Sequence, residues 1–119
     1  MTSIALFAAA LLSVTAPALS APLSATAQAR LGQPIRLANL AVRPLRVIED
    51  SRCPRMVTCA WRGRLRLEVA VNGRVMTIDD GKAVAAGGGS LTLVNATPLS
   101  QRGERVPLGA YRFTLNFKR

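Results

Sequence analysis

Two cysteines at positions 53 and 59, with Met56 midway between them, are the residues with the clearest chemistry in this sequence. In an oxidising compartment, cysteines this close most simply form a disulfide, Cys53–Cys59. Closing so short a loop would stabilise the fold by roughly 2 to 2.5 kcal/mol through lost chain entropy. The three sulfur atoms could instead bind Cu(I), which prefers thiolate and thioether ligands. A redox-active pair is a third option, although the spacing differs from the Cys-x-x-Cys arrangement that lowers a thiol pKa.

Histidine is absent from the chain, and only six residues are Asp or Glu. This composition excludes Ser-His-Asp and Cys-His catalysis and imidazole metal ligands, and it leaves few carboxylates for an acidic metal site. Glu49 and Asp50 are adjacent, so on a strand they would point to opposite faces and could not share a proton. We expect Asp50 to form an ion pair with Arg52, Arg55 or Arg62 that fixes the surrounding loop. The sequence therefore predicts a protein that is not an enzyme and that needs no cofactor.

Sixteen Lys and Arg residues against six Asp and Glu residues give the 119-residue chain a formal charge of +10. If residues 59–71 form one strand, Arg62, Arg64 and Arg66 project from one face about 7 Å apart, a spacing that suits repeated phosphates or carboxylates. The alternative is a solvated face that acidic residues partly neutralise, with Arg66 opposite Asp79. Nucleic acid is disfavoured because the few aromatic residues fall on apolar faces. The three arginines are therefore a candidate site for an anionic envelope polymer or an acidic protein.

The first twenty residues have the layout of a secretory signal peptide. Residues 4–12 are an unbroken apolar run, too short to span a membrane, and Pro17 and several small residues follow it. We predict a signal peptide at residues 1–20 with cleavage after Ser20, and cleavage after Ala27 is the alternative. No Cys lies near either site, so we expect no lipid anchor. The mature protein would be periplasmic or secreted, with no transmembrane segment.

The rest of the chain is typical of one small all-β domain. We expect residues 21–33 to form a flexible N-terminal segment and residues 34–119 to form a single antiparallel β-sandwich, immunoglobulin-like or related. The apolar pattern changes parity at Pro44, which indicates a kink, a bulge or the meeting of two strands. Residues 83–89 (AVAAGGG) are interpreted as a flexible loop and residues 90–94 as a strand. The last strand, residues 111–118, alternates cleanly and would bury Tyr111, Phe113, Leu115 and Phe117.

A β-hairpin is predicted around Asn72-Gly73, the pair most typical of a type I′ turn. A two-residue turn at this point fixes the register of the flanking strands, with the pairs Val69–Met76, Leu67–Ile78, Glu68–Thr77 and Arg66–Asp79. The apolar parity of residues 59–71 continues back to Cys59 and Trp61, with Gly63 as a bend. We therefore expect the Trp61 indole to lie in the core and to pack on the disulfide, as in immunoglobulin-like domains.

The segment from Glu49 to Gly63 also carries a motif. The run Glu-Asp-Ser-Arg-Cys-Pro followed by Cys-x-Trp-x-Gly resembles that of small secreted or lipid-anchored bacterial proteins of unknown function. The resemblance implies a compartment outside the cytoplasm but no biochemical activity. We interpret the motif residues other than the cysteines as structural: Glu49, Asp50, Ser51, Arg52, Pro54, Trp61 and Gly63.

Together these observations predict an exported, non-catalytic cell-envelope protein, a disulfide-stabilised binding or structural module with a basic face for anionic partners. The alternative is a periplasmic copper-binding or thiol-redox protein that uses Cys53, Met56 and Cys59.

Overall fold

The computed structural model describes residue 5, residues 8–13 and residues 23–119. Most of the predicted signal peptide, including the predicted cleavage site after Ser20, lies outside the described residues. One turn of 3₁₀ helix, Leu108–Ala110, precedes the last strand. The strands within residues 23–119 are β1 (Ser24–Ala29), β2 (Ile35–Leu37), β3 (Leu40–Asp50), β4 (Leu65–Val71), β5 (Arg74–Asp79), β6 (Ala83–Ala86), β7 (Gly89–Thr97) and β8 (Arg112–Lys118).

The strands form two four-stranded sheets, in the orders β1-β8-β7-β6 and β2-β3-β4-β5. Every neighbouring pair within the sheets is antiparallel. This arrangement confirms the predicted small antiparallel β-sandwich. The second sheet is a simple meander, whereas immunoglobulin domains divide their strands into ABED and CFG sheets. The relation to immunoglobulin domains is therefore limited to the two-layer architecture.

The core lies between the two sheets and is lined by alternate residues of the strands, because successive side chains of a strand point to opposite faces. In β4 every second residue is buried, from Leu65 to Val71. In β8 the same holds for Phe113, Leu115 and Phe117, and Tyr111 just before the strand is buried as well. The predicted burial of the last strand is confirmed. Each fully buried side chain of this size contributes roughly 1.5 to 3 kcal/mol relative to exposure.

The β4–β5 hairpin has the predicted register. Its cross-strand pairs include Val69–Met76, Leu67–Ile78, Glu68–Thr77 and Arg66–Asp79. Asn72 and Gly73 have φ of 50° and 81°, as a type I′ turn requires. The Asn72 side-chain oxygen accepts a hydrogen bond from the backbone N–H of Ala41 at 2.9 Å, and the backbone N–H of Asn72 donates to the Ala41 carbonyl at 2.8 Å. The turn is thereby fastened to β3.

Two segments that we expected to be flexible are strands. Residues 21–33 contain β1, which pairs with β8 from Ser24↔Lys118 to Ala29↔Phe113. Residues 83–89 contain β6 and the turn into β7. Both expectations were wrong because the inward-facing residues are small: Ala25, Ala27 and Ala29 in β1, and Val84 and Ala86 in β6. Alanine gives a weak hydrophobic pattern in the sequence, yet these alanines pack against the core.

Strand β3 continues through Pro44, with register shifts between Pro44 and Arg46 and between Val47 and Glu49. Of the kink, bulge or strand junction predicted at Pro44, the structure has a bulge, and bulges are among the few places where a strand tolerates proline. The strand ends with Asp50 opposite Leu65, the first residue of β4. The connection between them, residues 51–64, is called the disulfide loop below.

Candidate functional site

The neck of the disulfide loop is closed by hydrogen bonds between Ser51 and Arg64. The Ser51 N–H donates to the Arg64 carbonyl at 2.8 Å, and the Arg64 N–H donates to Ser51 Oγ at 3.1 Å. Gly63 lies against this neck with φ of 68°, and a Cβ there would come 1.8 Å from the Ser51 carbonyl oxygen. The strand predicted for residues 59–71 therefore begins only at Leu65, because the backbone at Gly63 leaves the extended conformation.

The predicted Cys53–Cys59 disulfide is confirmed, and it joins Cα atoms 5.9 Å apart. The ring it closes contains Pro54, which is half-buried, and a turn at Arg55 and Met56. Met56 has φ of 61°. The Arg55 N–H donates to the Ser100 carbonyl at 2.9 Å, so the ring is also attached to the segment that follows β7. The tip of the loop is thus held by a covalent bond and by a neighbouring backbone.

The base of the loop is anchored by a cluster of Asp50, Arg52 and Tyr111. Arg52 forms a bidentate ion pair with Asp50, with Nε–Oδ1 at 2.8 Å and Nη2–Oδ2 at 3.0 Å. The Tyr111 hydroxyl donates to Asp50 Oδ2 at 2.7 Å. The side chains of Arg52 and Asp50 are only 10% and 16% exposed. The predicted pairing of Asp50 with Arg52 is confirmed, whereas the role of Tyr111 was missed. A buried tyrosine whose hydroxyl needs a partner was the available signal.

Arg52 also ties the loop to the other sheet. Its Nη1 donates to the Ala96 carbonyl of β7, and its Nη2 donates to the Pro98 carbonyl at 3.0 Å. Its guanidinium thus bridges the end of β3 and the end of β7, which belong to different sheets. A planar group with five N–H donors is suited to this task, and a lysine could not replace it.

The titration properties of the cluster follow from these contacts. Burial alone would raise the pKa of Asp50, but hydrogen bonds from Arg52 and Tyr111 and the charge of Arg52 outweigh it and lower that pKa. Burial together with the hydrogen bond to Asp50 and its negative charge raises the pKa of Tyr111 to about 12. Asp50 therefore stays ionised and fully engaged, which suits a structural anchor better than a general base.

Trp61 lies outside the core, contrary to our expectation. Its side chain is 84% exposed, and Met56 is fully exposed. Cys59 is exposed as well, so the disulfide and the indole do not form a core layer. The expectation extrapolated the β4 parity back through Gly63, where the extended backbone has not yet begun. The loop therefore presents two large apolar side chains to solvent.

The three candidate arginines do not share one strand face. Arg66 lies on β4 and pairs with Asp79, Nε–Oδ1 at 2.9 Å. Arg64 pairs with Glu49, Nε–Oε2 at 2.7 Å, and this hydrogen bond lowers the pKa of Glu49. Arg62 lies within the disulfide loop and forms no ion pair with any residue from 23 to 119. Of the three, Arg62 is the one whose charge is left for an outside partner.

The alternative ligand set of Cys53, Met56 and Cys59 is altered by the disulfide. Both cysteine sulfurs are bonded to each other, so neither is a thiolate in this state. Among the described residues, no group of three or more His, Cys, Asp or Glu side chains is placed to hold a metal ion. A copper site would therefore require reduction of the disulfide first.

A cavity of about 400 Å³ separates the disulfide loop from β7. Its walls include Cys53 and Arg62 from the loop, Val94 and Leu99 from the opposite side, and Asp80. The Asp80 Oδ1 accepts a hydrogen bond from the Leu65 N–H at 2.9 Å. The cavity thus combines a cation with exposed apolar side chains, and its carboxylate is already engaged by the backbone.

No helix within residues 5, 8–13 and 23–119 has the length and apolarity needed to cross a bilayer. Comparisons of the chain with protein-family models, with curated proteins and with solved structures found no match. The function of the protein therefore has to be inferred from the disulfide loop itself.

Proposed function

We propose that the protein is an exported, non-catalytic binding module of the bacterial cell envelope, which contacts an anionic partner through the disulfide loop. One observation carries this proposal: an anchored loop exposes Trp61 and Met56 together with Arg55 and Arg62. Neither arginine forms an ion pair within the part of the chain that the structure describes. The basic contact surface is thus assigned to the loop rather than to Arg64 and Arg66.

The composition of the loop supports binding. Trp, Met and Arg are enriched in protein interfaces, and Trp and Arg dominate the residues that contribute most of the binding energy. An exposed indole lowers solubility and gains nothing for folding, so its place on an anchored loop indicates a contact. Because the loop is fixed by the disulfide and by Arg52, little conformational entropy is lost when a partner binds.

Export and the absence of catalysis are supported less directly. The disulfide is of the kind that persists in oxidising compartments such as the periplasm. Asp50 and Asp80 are both engaged in internal hydrogen bonds, which leaves no free base beside a nucleophile at the loop. The motif resemblance agrees with a periplasmic or secreted location, and osmotic-shock fractionation of an expressing bacterium tests it directly.

Retention on an immobilised polyanion such as phosphocellulose tests the contact surface. We expect the double variant Arg55→Gln/Arg62→Gln to elute at a lower salt concentration than the wild type. The matched control is Arg36→Gln/Arg74→Gln, which removes the same charge from exposed positions on β2 and β5. Equal losses for the two variants would mean that only net charge matters, and the proposal would then be wrong.

Thiol titration with metal analysis separates this module from the copper or thiol-redox alternative. Protein recovered from the periplasm is expected to contain no free thiol and no stoichiometric copper. Two free thiols with one bound copper ion would instead establish Cys53, Met56 and Cys59 as ligands.

A further inference from the structure

We infer that the anionic partner is the surface of an anionic lipid membrane, with Trp61 and Met56 inserted at the headgroup level and Arg55 and Arg62 on lipid phosphates. This inference rests on the proposed function, since it names the partner of the same loop. Three features of the loop favour a lipid surface over a folded protein.

The first feature is the form of the apolar surface. Met56 lies in the turn of the disulfide ring, and Trp61 follows the ring closely, five positions further along the chain. A chain of that length spans at most about 18 Å, so both side chains fit one footprint. Both side chains are almost fully exposed to solvent. Exposed side chains of this kind need no complementary pocket when the partner is a fluid bilayer interface.

The second feature is the side-chain chemistry. Tryptophan concentrates at membrane interfaces because its ring is apolar and its indole N–H finds a polar partner among the headgroups. The Trp61 side chain donates no hydrogen bond within the described residues, so its N–H is available for this role. Arginine flanking such a ring can bury its aliphatic stem while its guanidinium stays at the phosphates.

The third feature is the distribution of charge. The disulfide loop contains four arginines and no acidic residue, and two of them are neutralised by Asp50 and Glu49 at its base. The free charges are therefore Arg55, in the disulfide ring, and Arg62, next to Trp61. Arg102 adds to them, because it lines a shallow depression of about 410 Å³ together with Arg55 and Met56. Basic residues beside an anionic bilayer each strengthen binding about fivefold.

Few acidic side chains outside ion pairs are left to repel an anionic surface, although one of them, Asp80, lines the same cavity as Arg62. Four of the six acidic side chains are in ion pairs, which leaves Asp80 and Glu104 outside them among the described residues. The surplus of ten positive charges would attract the protein to an anionic surface from any direction. The loop would then decide which face makes contact, because it alone combines exposed tryptophan with unneutralised arginine.

Trp61 is the only tryptophan in the chain, so the tryptophan fluorescence of the purified protein reports on the disulfide loop alone. We expect vesicles of phosphatidylglycerol and phosphatidylcholine to shift the indole emission to shorter wavelength, and vesicles of pure phosphatidylcholine to leave it unchanged. Lipids brominated on the acyl chains should quench the shifted emission. The Arg55→Gln/Arg62→Gln variant should bind about 25-fold more weakly, from about fivefold for each charge. The Arg36→Gln/Arg74→Gln control, which removes the same net charge, should bind the anionic vesicles clearly more tightly than the loop variant.

Two results would overturn the inference. If the protein sediments with the anionic vesicles but its emission does not change, it adsorbs through another face. If it does not sediment, it has no affinity for the bilayer. Either result leaves the proposed function standing if the loop variant still loses retention on phosphocellulose. The proposed function fails only if that retention is independent of the loop arginines. Because the fluorescence signal arises at Trp61, insertion of residues 4–12 cannot mimic it.

Discussion

Replacing Tyr111 with phenylalanine removes one hydroxyl from the anchor of the disulfide loop. The ring still stacks on Phe113, with centroids 5.5 Å apart, so packing is retained and only the 2.7 Å hydrogen bond to Asp50 is lost. A hydrogen bond to a charged group contributes about 1.5 to 3 kcal/mol. Burial and this hydrogen bond together raise the pKa of Tyr111 from 10 to about 12, which limits the pH-dependent part of the stability to about 2.7 kcal/mol. We expect Tyr111→Phe to lower the free energy of unfolding by about 2 kcal/mol, or the melting temperature by about 10 °C.

The same hydrogen bond has a characteristic pH dependence. A phenol whose pKa is higher in the folded state than in the unfolded state stabilises the fold fully below pH 10. This contribution is lost as the pH rises from about 10 to about 12, because the unfolded state releases the proton first. The difference in stability between wild type and Tyr111→Phe should therefore shrink over this interval.

Urea denaturation followed by far-UV circular dichroism measures both effects. The matched control is Thr77→Val, which removes an exposed hydroxyl on β5 and should change stability by less than about 0.5 kcal/mol. The reasoning would be refuted if Tyr111→Phe cost no more than this control. A difference between wild type and variant that stays constant from pH 9 to 12 would equally contradict the assignment of the raised pKa to the hydroxyl.

Three further outcomes are expected. Gly63→Ala should destabilise the protein clearly more than Gly103→Ala, as measured by the denaturation midpoints of the two variants. Both glycines have a positive φ, but only at Gly63 would a Cβ collide with the Ser51 backbone. Trp61→Ala should change the free energy of unfolding by less than about 0.5 kcal/mol, because the indole is exposed. Leu67→Ala in the core should lower it by about 2 to 5 kcal/mol. A loss of similar size for Trp61→Ala would place the indole in the core. Reducing the disulfide should lower the free energy of unfolding by roughly 2 kcal/mol, measured with and without a reductant, and an unchanged midpoint would show that the bond adds nothing to stability.

The parts of the fold that the sequence predicted are those where two local signals agree. Around Asn72 and Gly73 the turn chemistry, the apolar alternation and the charge pair all require one register, and that register is present. The buried face of strand β8 was also predicted from the sequence, because its inward-facing residues are large and apolar. Strands β1 and β6 were missed because their inward residues are mostly alanine, and such strands are recognised only once a neighbouring strand is there to pair with.

The candidate site was predicted in part for a similar reason. The disulfide and the Asp50–Arg52 pair depend on residues close in sequence, and both are present. The hydrogen bond from Tyr111 and the contacts of Arg52 with β7 join positions more than forty residues apart, which no local pattern reveals. Trp61 was misplaced because alternation was extended through Gly63, whose positive φ breaks the parity.

The pairing of the first strand with the last constrains when the protein can fold. Strand β8 lies between β1 and β7, and Ser24 is paired with Lys118 near the C-terminus. Until β8 is free to pair, the first sheet lacks one of its two inner strands and both of its phenylalanines, Phe113 and Phe117. A chain threaded through a secretion channel from its N-terminus would consequently leave this sheet unformed until β8 had crossed. This order of events would keep the chain competent for translocation, and it would let the disulfide form before the sandwich closes.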